Sequence, residues 1–257
     1  MDYQTIQLTE DDGSAVITLN RPEVKNALNA QMRAELLHAV KASEKSARAI
    51  VITGSGDAFC SGQDLSNKSV NNANLERVLR DEYVPLLRAI YDCAVPTISA
   101  VNGPAAGAGA NLALAADVVI ATESAVFLQA FTRIGLIPDA GGTYWLPRQV
   151  GFARAMGAAL FAEPVSAKQA VEWGMIWEAV PDAEFDAHWR ARAAKLASGP
   201  TMAYGYAKQA IRESYGNSLD KQLLLEARLQ GKCGKSRDFR EGVLAFLEKR
   251  PADYEGR

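Results

Sequence analysis

The chain has 257 residues, 48% of them hydrophobic and 23% charged, and a net charge of −2. That length can bury a full core as one large domain, or as one domain with an appendage, and the charge balance gives no electrostatic case for nucleic acid. Cys60, Cys93 and Cys233 are far apart and odd in number, and His38 and His188 have no ligand spacing, so neither a disulfide framework nor a metal site is expected. A reducing cytoplasm fits this cysteine usage best. Met1 to Gln4 carries no basic and apolar leader pattern, so no signal peptide is expected. The longest weakly polar run, Pro104 to Ala121, is rich in Ala and Gly and contains Asn111 and Asp117. It reads as a buried core segment, not a membrane span.

Tyr3 to Thr9 alternates with period two, and Asp12-Gly13 turns it into Ala15 to Leu19, which predicts a β-hairpin. Asn29 is suited to cap a helix running to about Ser43. Ala49 to Thr53 is a continuous, largely β-branched run, as expected of a strand buried on both faces. Ala58 to Leu65 then forms a glycine-bearing turn. Asn67 to Asn74 is polar and predicts a mobile surface loop. Leu75 to Cys93 has helical spacing with a possible kink at Pro85. Pro96 to Val101 is a third strand, and Val118 to Ala121 and Ala125 to Leu128 are two more. Strand, turn and helix thus recur, without a repeat at the level of sequence.

After Thr143 the pattern is mainly helical. Phe152 to Phe161 and Ser166 to Trp173 are predicted helices, with Ser166 as a cap; Met175 to Val180 is a late strand, and Asp182 to Ala197 an amphipathic helix. Gly199-Pro200 divides a core of residues 1–198 from a helical region of residues 199–257. Within that region, segments 202–215, 219–230 and 237–249 carry apolar faces that need a partner surface, either their own core or a neighbouring subunit.

Chemistry concentrates between Val101 and Thr143. Gly103, Gly107 and Gly109 lead into a helix of small residues, an arrangement that aims bare N–H groups outward. Both phosphate-loop patterns fail on spacing: Leu112 stands where the third glycine of G-x-G-x-x-G belongs, and no G-x-x-x-x-G-K-[ST] occurs. The glycines therefore either permit tight helix packing or build an anion-stabilising turn. Asp139 stands alone between Pro138 and Ala140-Gly141-Gly142. It either caps the helix that starts near Gly141 or moves a proton. Asn111 reads as a satisfied polar residue lining a pocket, and Asp64 as a cap for a helix after its turn. Trp173, Trp177 and Trp189 read as core or interface aromatics.

Taken together, Arg21-Pro22 with Asn26-Ala27-Leu28, Ala58 to Leu65, Val101 to Asp117, Gly135 to Thr143 and Phe239 to Arg250 resemble the crotonase superfamily, the enoyl-CoA hydratase/isomerases, over nearly the whole chain. The resemblance implies an α/β fold: a spiral of ββα units with a helical C-terminal region that builds trimers, often paired into hexamers. It implies a CoA-thioester site with two main-chain donors, at Gln63 and Ala108, and an acid/base at Asp139. Surroundings such as Pro138, Ala140 and Phe131 would raise the pKa of that carboxyl group. The substrate-binding positions implied are Val24, Lys25, Ala27, Ser61, Asp64, Leu65, Asn111, Phe131, Ile134, Leu136 and Pro138. Lys249 either reaches the CoA phosphates, in its own or a neighbouring subunit, or is a solvated cation in the last turn of its helix. No metal or separate cofactor is implied, because the substrate carries coenzyme A.

The departures from the family pattern narrow the chemistry. Asn111 and Phe131 stand where hydratases of the family place two glutamates, so water addition is not expected. Gly107 to Leu112, Gly135 to Thr143, Leu146-Pro147-Arg148, Arg154 to Gly157 and Trp173 to Trp177 are similar to the ring-epoxide isomerases of phenylacetate breakdown. That similarity implies an isomerase acting on 2-(1,2-epoxy-1,2-dihydrophenyl)acetyl-CoA, or one that shifts the double bond of enoyl-CoA. The alternatives are a fatty enoyl-CoA isomerase, a CoA-thioester hydrolase, or a non-catalytic CoA-ester-binding or RNA-binding member. An intact Asp139 and the lack of a basic stripe argue against the non-catalytic forms.

Overall fold

The computed structural model describes residues 2–65 and 74–257, so the loop expected at Asn67 to Asn74 lies outside them except for its last residue. In chain order the strands are β1 (Ile6–Asp11), β2 (Ser14–Leu19), β3 (Ala49–Gly54), β4 (Thr97–Val101), β5 (Ala105–Ala106), β6 (Val118–Thr122), β7 (Val126–Leu128), β8 (Val165–Ser166) and β9 (Glu178–Val180). The helices are α1 (Ala30–Ser43), α2 (Leu75–Val78), α3 (Val84–Tyr91), α4 (Ala108–Leu114), α5 (Gly142–Val150), α6 (Phe152–Phe161), α7 (Ala167–Glu172), α8 (Phe185–Ala197), α9 (Thr201–Glu213), α10 (Leu219–Cys233) and α11 (Arg237–Glu248).

The expected hairpin forms, with Ile6 opposite Leu19 and Asp11 opposite Ser14. Every later strand of the large sheet is parallel, in the order β1-β2-β3-β4-β6-β9. The β-branched run of β3 is explained by what covers it. Ile50 and Ile52 lie on the sheet face shared with Leu19 and pack in one cluster with Leu36 and Leu86, while Val51 shares the other face with Val16, Ile98 and Ile120, packed with Trp189. Successive side chains point to opposite faces, both faces are packed, and an apolar residue is needed at every position.

A small sheet, β5-β7-β8, runs beside the large one. Cys60 bridges Ala105, Ala105 pairs with Phe127, and Phe127 with Val165. The chain therefore coils. Each turn lays a strand in the large sheet, then a short segment in the small one, and then a helix; β4, β5 and α4 are the clearest such unit.

Two expectations are adjusted. The kink expected at Pro85 is a π-helical turn just before it, Leu79–Tyr83, between α2 and α3. The wider turn lets Val84 N–H reach Leu79 O and accommodates a proline that cannot donate. The late strand is shorter than Met175 to Val180 because Gly174 turns with φ 74° and Met175 N–H returns to Ala170 O. Of the three tryptophans read as core or interface, Trp189 is core and Trp177 is 67% exposed, which that reading allows.

α9 is tied to the sheet by charge. Asp117, at the foot of β6, meets Lys208 Nζ at 2.7 Å and Arg212 at 2.6 Å. Beyond it, α10 and α11 bury Leu225, Leu229 and Ala245 but leave Leu219, Leu224, Phe239, Phe246 and Leu247 exposed. A groove of about 960 Å³ runs among these three helices. Among the described residues, no helix is long and apolar enough to cross a membrane.

Candidate active site

Two glycine turns meet at the seam between the sheets. Leu28 N–H bonds Gly62 O at 2.7 Å, and Asp64 N–H bonds Leu28 O at 3.2 Å. This parallel bridge uses the residues on either side of Gln63, so the N–H of Gln63 itself points away from Leu28, toward the strand that bonds Cys60 through Ala106 N–H at 2.9 Å. A Cβ on Gly62 would lie 2.8 Å from Ala106 O and 3.4 Å from Ala108 N. Only glycine lets the turns approach this closely. Gly107, at φ 53° and ψ −126°, starts α4, and Ala108 is the first helical residue. The Ala108 N–H therefore has no acceptor within its own helix. The Phe131 ring lies beside this turn, 3.8 Å from where a Gly107 Cβ would be.

The Gln63 side chain is held by residues the sequence does not single out. Its Oε1 accepts from Arg33 at 2.9 Å and from the Tyr83 hydroxyl at 2.6 Å. Arg33 also donates to Leu28 O at 2.8 Å and pairs with Glu82 at 2.5 Å. This clamp grips both residues of the bridge. Burial pushes the Tyr83 phenol up; Arg33 opposes that shift, and the Asp139 carboxylate adds to it. Cys60 lies under the turn and accepts from Gly62 N–H at 3.4 Å. Burial raises its thiol to about 12, so it is not a nucleophile at neutral pH.

Asp139 sits in a turn with Ala140 at φ 47°, a left-handed value costly for a residue with a side chain. Its main-chain oxygen accepts from Asn111 Nδ2 at 2.7 Å and from Gly142 N–H at 2.8 Å. Its side chain makes no cap: α5 begins after Gly141 with no side-chain capping bond. Asp139 Oδ1 is buried and has no protein partner. Burial raises the carboxyl to about 6. A carboxyl poised there can both take and return a proton near neutral pH, and two outward N–H groups can hold a developing negative oxygen.

The implied residues fall along this seam with one exception. Ser61 N–H bonds Lys25 O at 2.9 Å and its hydroxyl bonds Val24 O at 3.1 Å. The Asp64 carboxylate meets Arg21 at 2.8 Å, and Arg21 also donates to Ala27 O at 2.7 Å; the segment that Asp64 is expected to cap lies outside the described residues. Leu136 N–H bonds Phe131 O at 3.0 Å, closing the turn that presents Ile134, while Pro138 is buried and Leu65 exposed. Asn111 is fully buried and satisfied. Lys249 stands apart, exposed at the end of α11 with φ 55°.

The enoyl-CoA hydratase/isomerase family model matches residues 9–257. The chain belongs to that family. The crotonase fold is shown by solved relatives, among them an enoyl-CoA hydratase from Bacillus anthracis, 32% identical with a TM-score of 0.92, covering 99% of this chain and 100% of that one. A Rhodobacter capsulatus protein named probable enoyl-CoA hydratase is 64% identical over the full length of both chains. The 1,2-epoxyphenylacetyl-CoA isomerase of Escherichia coli is 46% identical, over 96% of this chain and 97% of its own. Within this crotonase frame, the contacts of Arg33 and Tyr83 are not legible in the sequence, because the helical segments that carry them show only ordinary apolar spacing.

Proposed function

We propose that this chain is an isomerase of acyl-CoA thioesters. Its substrate is 2-(1,2-epoxy-1,2-dihydrophenyl)acetyl-CoA, converted to the oxepin form, or 3-enoyl-CoA, converted to 2-enoyl-CoA, or both. One observation carries the reading: Asp139 holds a buried oxygen without a protein partner and a carboxyl raised to about 6, and it caps no helix. In the double-bond shift, the Asp139 carboxylate takes a proton from C2. The electron pair moves onto the thioester oxygen, held by the N–H groups of Gln63 and Ala108. Asp139 then returns the proton at C4, so no proton, electron or cofactor is consumed. Val24, Lys25, Ala27, Ser61, Asp64 and Leu65 border the oxyanion turn as substrate contacts; Asn111, Phe131, Ile134, Leu136 and Pro138 border the acid. Lys249 serves the CoA phosphates, from the same or an adjoining subunit. The working unit is a trimer or hexamer built on the helices after Gly199-Pro200.

The name of the Rhodobacter relative favours a second reading, water addition. Against it stand Asn111 and Phe131, neither of which can transfer a proton as a carboxylate does. Incubation with crotonyl-CoA, a 3-enoyl-CoA and the ring epoxide, followed by product identification, decides between them. Isomerised products with negligible 3-hydroxyacyl-CoA are expected. Comparable hydration would refute the isomerase assignment.

A further inference from the structure

We infer that Asn111 is a positioning residue, which fixes the Asp139 turn to the same short helix whose first N–H faces the substrate oxygen. The inference rests on the isomerase reading above. Asn111 lies three residues after Ala108 on α4, so both sit on one side of the helix. Its Nδ2 donates to the Asp139 carbonyl at 2.7 Å, and its Oδ1 accepts from Gln129 Nε2 at 2.8 Å. The second bond sets which end of the amide faces Asp139. Gln129 is itself 4% exposed and follows directly on β7. The seat is tight: a Cβ on Gly142 would fall 2.4 Å from Asn111 Nδ2. Nothing larger than hydrogen fits there unless Asn111 moves. Asn111 therefore couples proton donor and oxyanion donor through one rigid element, at the position where the family's hydratases carry a reactive glutamate.

Asn111→Asp keeps the shape and the acceptor for Gln129 but puts a carboxylate oxygen against the Asp139 carbonyl. With a 3-enoyl-CoA, kcat should fall about tenfold or more while KM stays within about threefold, as misplacement of an acid without loss of binding predicts. Gln129→Leu changes neither Asn111 nor Asp139 itself but removes the donor that fixes the Asn111 amide, and should lower kcat by about threefold or more. In the double variant the Gln129→Leu effect should vanish, because both changes break one lock. A kcat within about threefold of wild type for Asn111→Asp, or additive losses, overturns the inference. If Asn111→Asp does not fold, Gln129→Leu decides by the same kcat and KM criterion. Asp139→Asn is measured alongside. Near-normal turnover there defeats the isomerase mechanism, whatever Asn111 does. Amide exchange at Gly142, bonded to Asp139 O, reads the lock without turnover and should quicken about tenfold in both single variants; unchanged exchange overturns the lock.

Discussion

At the scale of single residues, Asp139 sets the pH behaviour. Its carboxyl titrates at about 6, above its ordinary 3.8, because burial disfavours the charge. As the proton acceptor it must be ionised, so kcat/KM should fall as pH drops below about 6. Asp139→Asn should lose about 10² to 10⁴ in kcat while still binding the CoA ester. Stability gives an independent check. A folded-state pKa above the unfolded one means that the native state holds the proton more tightly. The stability from this group is therefore fully present below about pH 4 and is lost as pH rises through 6. The Asn variant should melt with the wild type near pH 4 and above it at pH 8. Melting curves that coincide at pH 8 would argue that the carboxyl is not buried as described. The sequence pattern around Asp139 left a cap and an acid equally open, and the family resemblance implied the acid. Whether it capped α5 was not legible, because Asp serves both roles and only the bond pattern separates them.

At the scale of elements, the oxyanion turn is a property of α1 and the π turn as much as of its own glycines. Arg33 from α1 and Tyr83 from the π turn close on Gln63 Oε1, and Glu82 balances the buried guanidinium. Arg33→Met leaves Leu28 O and Gln63 Oε1 short of donors and should cost about 1–3 kcal/mol of stability. By loosening the Gln63 N–H it should also lower kcat/KM about 10- to 100-fold. Tyr83→Phe removes one donor of the two and should do less. Equal kcat/KM for wild type and Arg33→Met would remove the clamp from the account. The strands were readable because parallel burial demands β-branched runs. The clamp was not, because its residues lie 20 and 30 positions from Gln63 and meet it only once the chain has coiled.

At the scale of the whole molecule, the helices after Pro200 are anchored at one end and bare at the other. Asp117 holds α9 by two cations, while α10 and α11 present Leu224, Phe246 and Leu247 outward. An apolar face of this kind marks an association surface. Light scattering at micromolar concentration should find a multiple of three chains, and Tm should rise with protein concentration, as it does when association stabilises the native form. A monodisperse monomer with a concentration-independent Tm would refute the assembly.

The order of the large sheet carries a consequence for how the protein is made. Ile120 of β6 pairs with Glu178 of β9, so the edge beside β6 stays open until the chain has grown past α7. At ribosomal speeds that interval is roughly 3–10 s. Through it the nascent chain displays an apolar strand edge able to pair with another chain. Synthesis slowed within the stretch between α5 and α7 should therefore lower the yield of native protein more than an equal delay within α10. The vulnerable moment in this protein's life falls before its active site has been enclosed.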